Sequence, residues 1–191
     1  MARTSAPTIC GGEFRGRRLS VPEGRGTRPA RGRVREAMFA MVAAHVPDAR
    51  VLDIYAGSGS LGLEALSRGA AHATFVERWR EALGCLRANI RTCGVGPDRA
   101  RVLPVDVSTW RATPGEPFDL VFADPPFALL EPLPPELVAP GVLAPDARVV
   151  VETPSERITP TTLPGLELLR RREHGRSSIC VYGLSPEAPP A

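Results

Sequence analysis

Phe118 to Phe127 reads FDLVFADPPF, an apolar strand that carries Asp124, Pro125, Pro126 and Phe127 to the end of a sheet. These residue types suit one chemistry. An exocyclic amine on a nucleobase is a poor nucleophile, because its lone pair is delocalised into the ring. If the Asp124 carboxylate and the Pro125 carbonyl each accept one of its N–H bonds, the nitrogen is drawn toward tetrahedral geometry and its lone pair is freed for an incoming methyl group. The prolines fix φ and hold their carbonyls rigidly. Phe127 offers a ring face on which an unpaired or extruded base stacks. Positioning in line is all the reaction needs, and no metal is expected. A Pro-rich loop after a strand is the plainer reading in a chain with 21 prolines.

A second constellation lies upstream. Gly57-Ser58-Gly59-Ser60-Leu61-Gly62 satisfies GxGxxG directly after a strand that ends near Asp53, and it opens a helix; Glu77 ends the next strand, 20 residues beyond Gly57. Glycines there allow a tight turn and close backbone approach by a ligand, and a carboxylate at the tip of the second strand accepts ribose hydroxyls. Both NAD and S-adenosylmethionine hang an adenosine over such an edge. Two carboxylates beside the loop disfavour a pyrophosphate and favour a cofactor bearing an ammonium and a sulfonium. Asp106, past the third strand, is placed either to accept the adenine amino group or to cap a helix.

Positioning these groups requires alternating strands and helices. Strands are expected at Arg50 to Tyr55, His72 to Glu77, Arg101 to Val105, Phe118 to Ala123 and Ala147 to Glu152, with a closing pair at Leu166 to Arg171 and Ser178 to Leu184. Helices are expected at Ser60 to Arg68 and Arg80 to Thr92, each followed by glycine. Ahead of them, Val34, Ala37, Met38, Met41, Val42 and His45 recur at helical spacing and predict an amphipathic helix over Arg33 to His45. The first 24 residues have hairpin or extended-arm composition, too small for a core of their own. Alternating βα units imply an α/β fold with a largely parallel sheet covered on both faces.

A chain of 191 residues with 43% hydrophobic and 24% charged side chains suits a single core. No apolar run reaches the ~20 residues of a membrane-spanning helix, and the first ten residues lack a signal-peptide layout, so a cytoplasmic protein with no membrane partner is expected. Cys10, Cys85, Cys93 and Cys180 form no CxxC pair, which disfavours a zinc site or a disulfide framework. All 24 cationic side chains are arginine. Residues 1–40 hold nine of them against three acids, a net of +6, and the remainder sums to −3. That asymmetry reads as a basic arm for an anionic polymer joined to an acidic catalytic body.

GGEFRGRRLSVPEG, TRPARGRVREAMF, VLDIYAGSGSLGLEALSRGA, FVE and FADPPF resemble, in order, the bacterial ribosomal RNA small-subunit methyltransferase D family across about residues 9–184. The resemblance implies a class I S-adenosylmethionine-dependent methyltransferase fold. That is a Rossmann-like, mostly parallel sheet of seven strands with an antiparallel last strand, helices on both faces and a small N-terminal β-hairpin. It implies methylation at N2 of a guanine in 16S rRNA, guanine 966 in the family, on the small subunit or its assembly intermediate. A monomer is expected. The implied organisation is a basic arm over 1–26, a methyltransferase domain over 27–184 and a disordered tail over 185–191.

Carried over by position, Asp53, Tyr55, Gly57, Ser58, Gly59, Gly62, Glu77, Arg78, Asp106 and Val107 form the cofactor set, and Asp124 to Phe127 hold the guanine. Arg15, Arg17, Arg18, Arg28 and Arg33 are the expected RNA contacts. The chain departs from the family at Gly32, where an acid is usual, near Trp79, where an Asp is usual, and over His174 to Ser178. Two other readings compete. An adenine-N6 methyltransferase shares the DPPF chemistry, but the chain has no room for a target-recognition domain. A nicotinamide oxidoreductase shares the glycine loop, but there is no lysine, and Tyr55 and Tyr182 lack a Tyr-x-x-x-Lys pairing.

Overall fold

The computed structural model describes residues 6–23, 29–125, 133–156 and 162–185. Arg28, Pro126, Phe127 and the tail beyond Ser185 lie outside the described residues, as do 1–5 and 24–26 of the expected arm.

Five strands, β1 (Arg50–Ile54), β2 (His72–Val76), β3 (Ala100–Leu103), β4 (Phe118–Ala123) and β5 (Leu143–Pro154), pair in parallel. β6 (Thr162–Leu163), β7 (Leu166–His174) and β8 (Ser177–Leu184) complete a sheet of order β3-β2-β1-β4-β5-β8-β7-β6. The last strand, β8, is antiparallel as expected; it lies between β5 and β7, and the two-residue β6 adds a short eighth strand outside them. β1 and β4 are neighbours on which the strand order reverses, and a ligand crevice belongs at that reversal.

Helices α1 (Pro29–Met41), α2 (Ser60–Ser67) and α3 (Arg80–Cys93) all cover one face, where Val34, Met38, Leu63 and Leu86 join Val51, Phe75, Phe122 and Ile179 in a single core. The opposite face is closed by short 3-10 helices at Val107–Thr109 and Pro135–Val138, around Trp110, Leu137 and Tyr182. α1 begins four residues before the expected Arg33 and ends at Met41, followed by a 3-10 turn at Ala43–His45. Its first residue is proline, whose fixed φ and missing N–H cost nothing in a first helical turn.

The N-terminal segment borrows the main core. Ile9, Phe14 and Leu19 are 1–2% exposed and pack with α1 and α2, while one bridge, Thr8 to Arg18, is all its described strand pairing. Hydrogen bonds to both α2 and α3 pin it. Phe14 N donates to Ser67 Oγ (2.8 Å) at the end of α2, and Ser20 N donates to Asn89 Oδ1 (2.8 Å) on α3.

Candidate active site

Register across the sheet sets the site. Ile54, Ala123, Val151 and Cys180 are level, so the residues that follow them, Tyr55, Asp124, Glu152 and its partner Ile179, occupy the rim of the sheet at the C-terminal ends of the parallel strands. Asp53 is paired with Phe75 and Phe122, and all three lie on the helix-covered face. Glu77 and Asp124 come two residues after those phenylalanines, so strand alternation brings all three carboxylates to the same face.

The glycine loop is shaped by both conformation and contact. Gly59 caps α2 in the left-handed region (φ 80°), and a Cβ there would lie 2.3 Å from Leu86 Cδ1. At Gly62 a Cβ would lie 2.3 Å from Phe75 Cε1, so this glycine lets α2 settle on β2. Those two glycines face the core. Gly57 (φ 55°) is different: apart from Tyr55 O at 3.9 Å, its Cβ position is open, leaving its backbone available for close approach. Tyr55 takes φ 63°, a conformation that costs a non-glycine residue about 1–3 kcal/mol and marks the bend that turns the chain out of β1. Ser58, half-buried, is fixed from behind, because Asn89 Nδ2 donates to its carbonyl oxygen (2.9 Å).

Glu77 is 8% exposed and fastens this loop. Its Oε2 accepts from Gly57 N (2.7 Å), and its Oε1 accepts from Arg78 N and Trp79 N (both 2.8 Å). A carboxylate offers about four lone-pair sites, so about one remains for a ligand hydroxyl. Asp53 is 1% exposed and accepts one N–H, from Gly62 (2.9 Å). Burial pushes its carboxyl up to about 7, against the pull of that hydrogen bond and with the charges of Asp124 and Glu77 adding to the rise.

Asp106 contrasts with it. Hydrogen bonds from the Ser108 side chain (2.7 Å) and backbone N–H (2.9 Å), with the Arg78 guanidinium beside it, hold its carboxyl down at about 2. It caps the 3-10 helix Val107–Thr109, one of the two roles its position allowed, and Val107 is buried beneath. Asp124 is half-buried and Pro125 is buried at the tip of β4.

These residues fit a cationic nucleoside cofactor. Three carboxylates share one face of the rim, the most buried has a single hydrogen bond among the described residues, and the backbone at Gly57 is open on the ligand side. A pyrophosphate at the same place would meet Asp53 and Glu77 as like charges.

Of the expected RNA contacts, Arg15, Arg17, Arg18 and Arg33 are exposed. Arg17 also donates to the Thr92 carbonyl at the end of α3 and lies over the Phe14 ring, 5.8 Å from its centroid. Arg35 departs from the basic-arm reading. It is 5% exposed and paired with Glu64 on α2 (Nε to Oε2 3.3 Å), so it belongs to the interior. Sequence reasoning missed Glu64 and Asn89. Glu64 had a readable signal, an acid inside the apolar turn Leu61 to Leu66, whereas Asn89 carried none, since its partners are 31 and 69 residues away.

Residues 8–183 match a family model described as conserved hypothetical protein 95. The chain is 42% identical over 176 residues to ribosomal RNA small subunit methyltransferase D of Escherichia coli (strain K12), covering 91% of this chain and 88% of that one. It is 37% identical over 180 residues to the protein of the same name from Haemophilus influenzae, covering 91% and 92%. Among solved structures, one described as a methyltransferase from Escherichia coli superposes with a TM-score of 0.81 at 41% identity, covering 95% of this chain and 98% of that one.

Proposed function

The chain belongs to the ribosomal RNA small subunit methyltransferase D family, and from that premise we propose that it transfers a methyl group from S-adenosylmethionine to the exocyclic N2 of a guanine in 16S rRNA, on the small subunit or its assembly intermediate. The observation that carries this reading is the trio Asp53, Glu77 and Asp124 on one face of the sheet rim beside the glycine loop. It acts in the cytoplasm as a monomer, with residues 27–184 as the catalytic domain.

Asp53 and the Gly57–Ser58 backbone hold the cationic methionine end, and Glu77 offers its remaining lone pair to the ribose. Asp106, with Arg78 and Val107, borders the adenine. The cofactor, when bound, supplies an electrophilic methyl group on a sulfonium. Asp124 accepts one N–H of the guanine amine and the Pro125 carbonyl accepts the other, which concentrates the lone pair on nitrogen. The proton lost from nitrogen leaves through Asp124 to water. From the sequence alone, Pro126 and Phe127 complete the base-holding tetrapeptide, with the Phe127 ring as the face on which the base stacks. Arg15, Arg18, Arg28 and Arg33 take the RNA phosphates, with Arg17 sharing its guanidinium between RNA and α3.

The test uses purified protein, methyl-labelled S-adenosylmethionine and small subunits lacking the modification. Label at N2 of one 16S guanine is expected. Label absent from 16S rRNA, or found on an adenine, rejects the reading.

A further inference from the structure

Beyond the N-terminal arm, we propose that the penultimate strand of the sheet, β7, and its turn into β8 form a second RNA-backbone contact, made by Arg170, Arg172 and Arg176. The inference rests on the proposed function for the identity of its polymer, but on different residues.

Register places the strand. Arg172 is level with Ile179 on β8, which is level with Glu152 on β5, which stands beside Asp124 on β4. Three interstrand spacings separate Arg172 from Asp124, about 14 Å along the sheet. The β7–β8 turn, with Gly175 and Arg176, falls at the same rim as the carboxylates, because His174 and Ser177 are level with Pro154 at the end of β5.

The face is fixed as well. Arg170 is opposite Val181 and Arg172 opposite Ile179, and both of those side chains belong to the core beneath α1. Residues directly opposite across an antiparallel pair project to the same side. Arg170 and Arg172 therefore flank α1, which packs on β8, on the side of the sheet that carries Asp53 and Asp124. Arg171, between them, points the other way and is occupied, donating to Glu173 Oε1 (3.0 Å) and Ser178 Oγ (3.2 Å).

Arg170, Arg172 and Arg176 are exposed, and none forms an ion pair with a described residue. An overall charge of −3 after residue 40 conceals this stripe, which places four arginines against two glutamates between Leu166 and Arg176. Protection of a sheet edge is the simpler service such charges perform, since on the side of β7 away from β8 described residues pair only with Leu166 and Glu167. Edge protection requires charge on the strand; it does not require two arginines on the catalytic face and a third at the catalytic rim.

The experiment compares wild type with the triple variant R170Q/R172Q/R176Q and its lysine counterpart, measuring methylation kinetics and affinity for 16S rRNA against salt. The glutamine variant should raise the RNA KM about tenfold, leave kcat and cofactor affinity unchanged, and flatten the slope of log affinity against log salt by about 2. Lysine should restore the slope. If the glutamine triple is insoluble, Arg172→Gln alone should flatten the slope by about 0.7. An unchanged slope in the variants overturns the proposal and leaves edge protection. Weaker binding to whole subunits with unchanged binding to naked rRNA also overturns it, by assigning the stripe to a ribosomal protein. Should wild type itself place no label on 16S guanine, the failure belongs to the proposed function instead.

Discussion

Two buried carboxylates on the same side of the sheet differ in how they are satisfied. Glu64, with no exposed surface, accepts backbone N–H bonds from Cys10 (2.8 Å) and Gly11 (2.9 Å) and ion-pairs with Arg35 (3.3 Å) and Arg68 (2.8 Å). Asp53, 1% exposed, has one N–H and two negative neighbours. The first is electrostatically complete and fastens the N-terminal segment to α2. The second is incomplete, and a cation would complete it. A buried charge of the first kind maintains the fold, whereas one of the second kind costs stability that a ligand restores.

The contrast breaks most visibly at Glu64. Glu64→Ala strands two amides and a buried guanidinium, and should lower stability by about 3–5 kcal/mol in a denaturant titration. A loss under about 1 kcal/mol would remove the distinction between the two sites. Next in size is Gly62→Ala, whose added methyl meets the Phe75 ring at 2.3 Å. Overpacking there should cost about 1–3 kcal/mol by thermal melting, with S-adenosylmethionine binding weakened through displacement of the loop.

Asp53→Asn should act with the opposite sign. With its carboxyl raised from 3.8 to about 7 in the fold, Asp53 keeps a proton over that window which the unfolded chain releases. Stability of the cofactor-free protein therefore falls as pH rises from about 4 to about 7. Asp53→Asn should flatten this slope and melt no lower than wild type at neutral pH, the reverse of Glu64→Ala. The smallest effect is at Asp106, whose carboxyl is held down at about 2. Its stabilisation is present above about 3.8 and is lost as pH falls toward 2. Because the Arg78 partner is exposed, Asp106→Asn should change the neutral-pH melting free energy by under about 1 kcal/mol.

Local signals made much of this molecule legible. Glycine loop, strand periodicity and the DPP tip are short-range patterns, and they located β1, β2, β4, α2 and α3 to within a residue or two. What escaped was long-range. Arg35 reads as one more arm arginine until Glu64, 29 residues on, is folded against it. Asn89 joins Ser20 to Ser58 only because α3 lies between the N-terminal segment and the loop. Glu77 illustrates an intermediate case. Its position at the tip of β2 was readable, but its three backbone N–H bonds, which make it the fastener of the loop, depend on how the chain turns beyond β2.

The most direct test of the incomplete carboxylate is calorimetric titration of S-adenosylmethionine into wild type and Asp53→Asn between pH 5 and 9. The ligand's own ionisation is common to both proteins, so the difference belongs to Asp53. Wild-type affinity should rise by roughly tenfold per pH unit below about 7 relative to the variant and level off above it. Parallel pH curves for the two proteins would contradict the account.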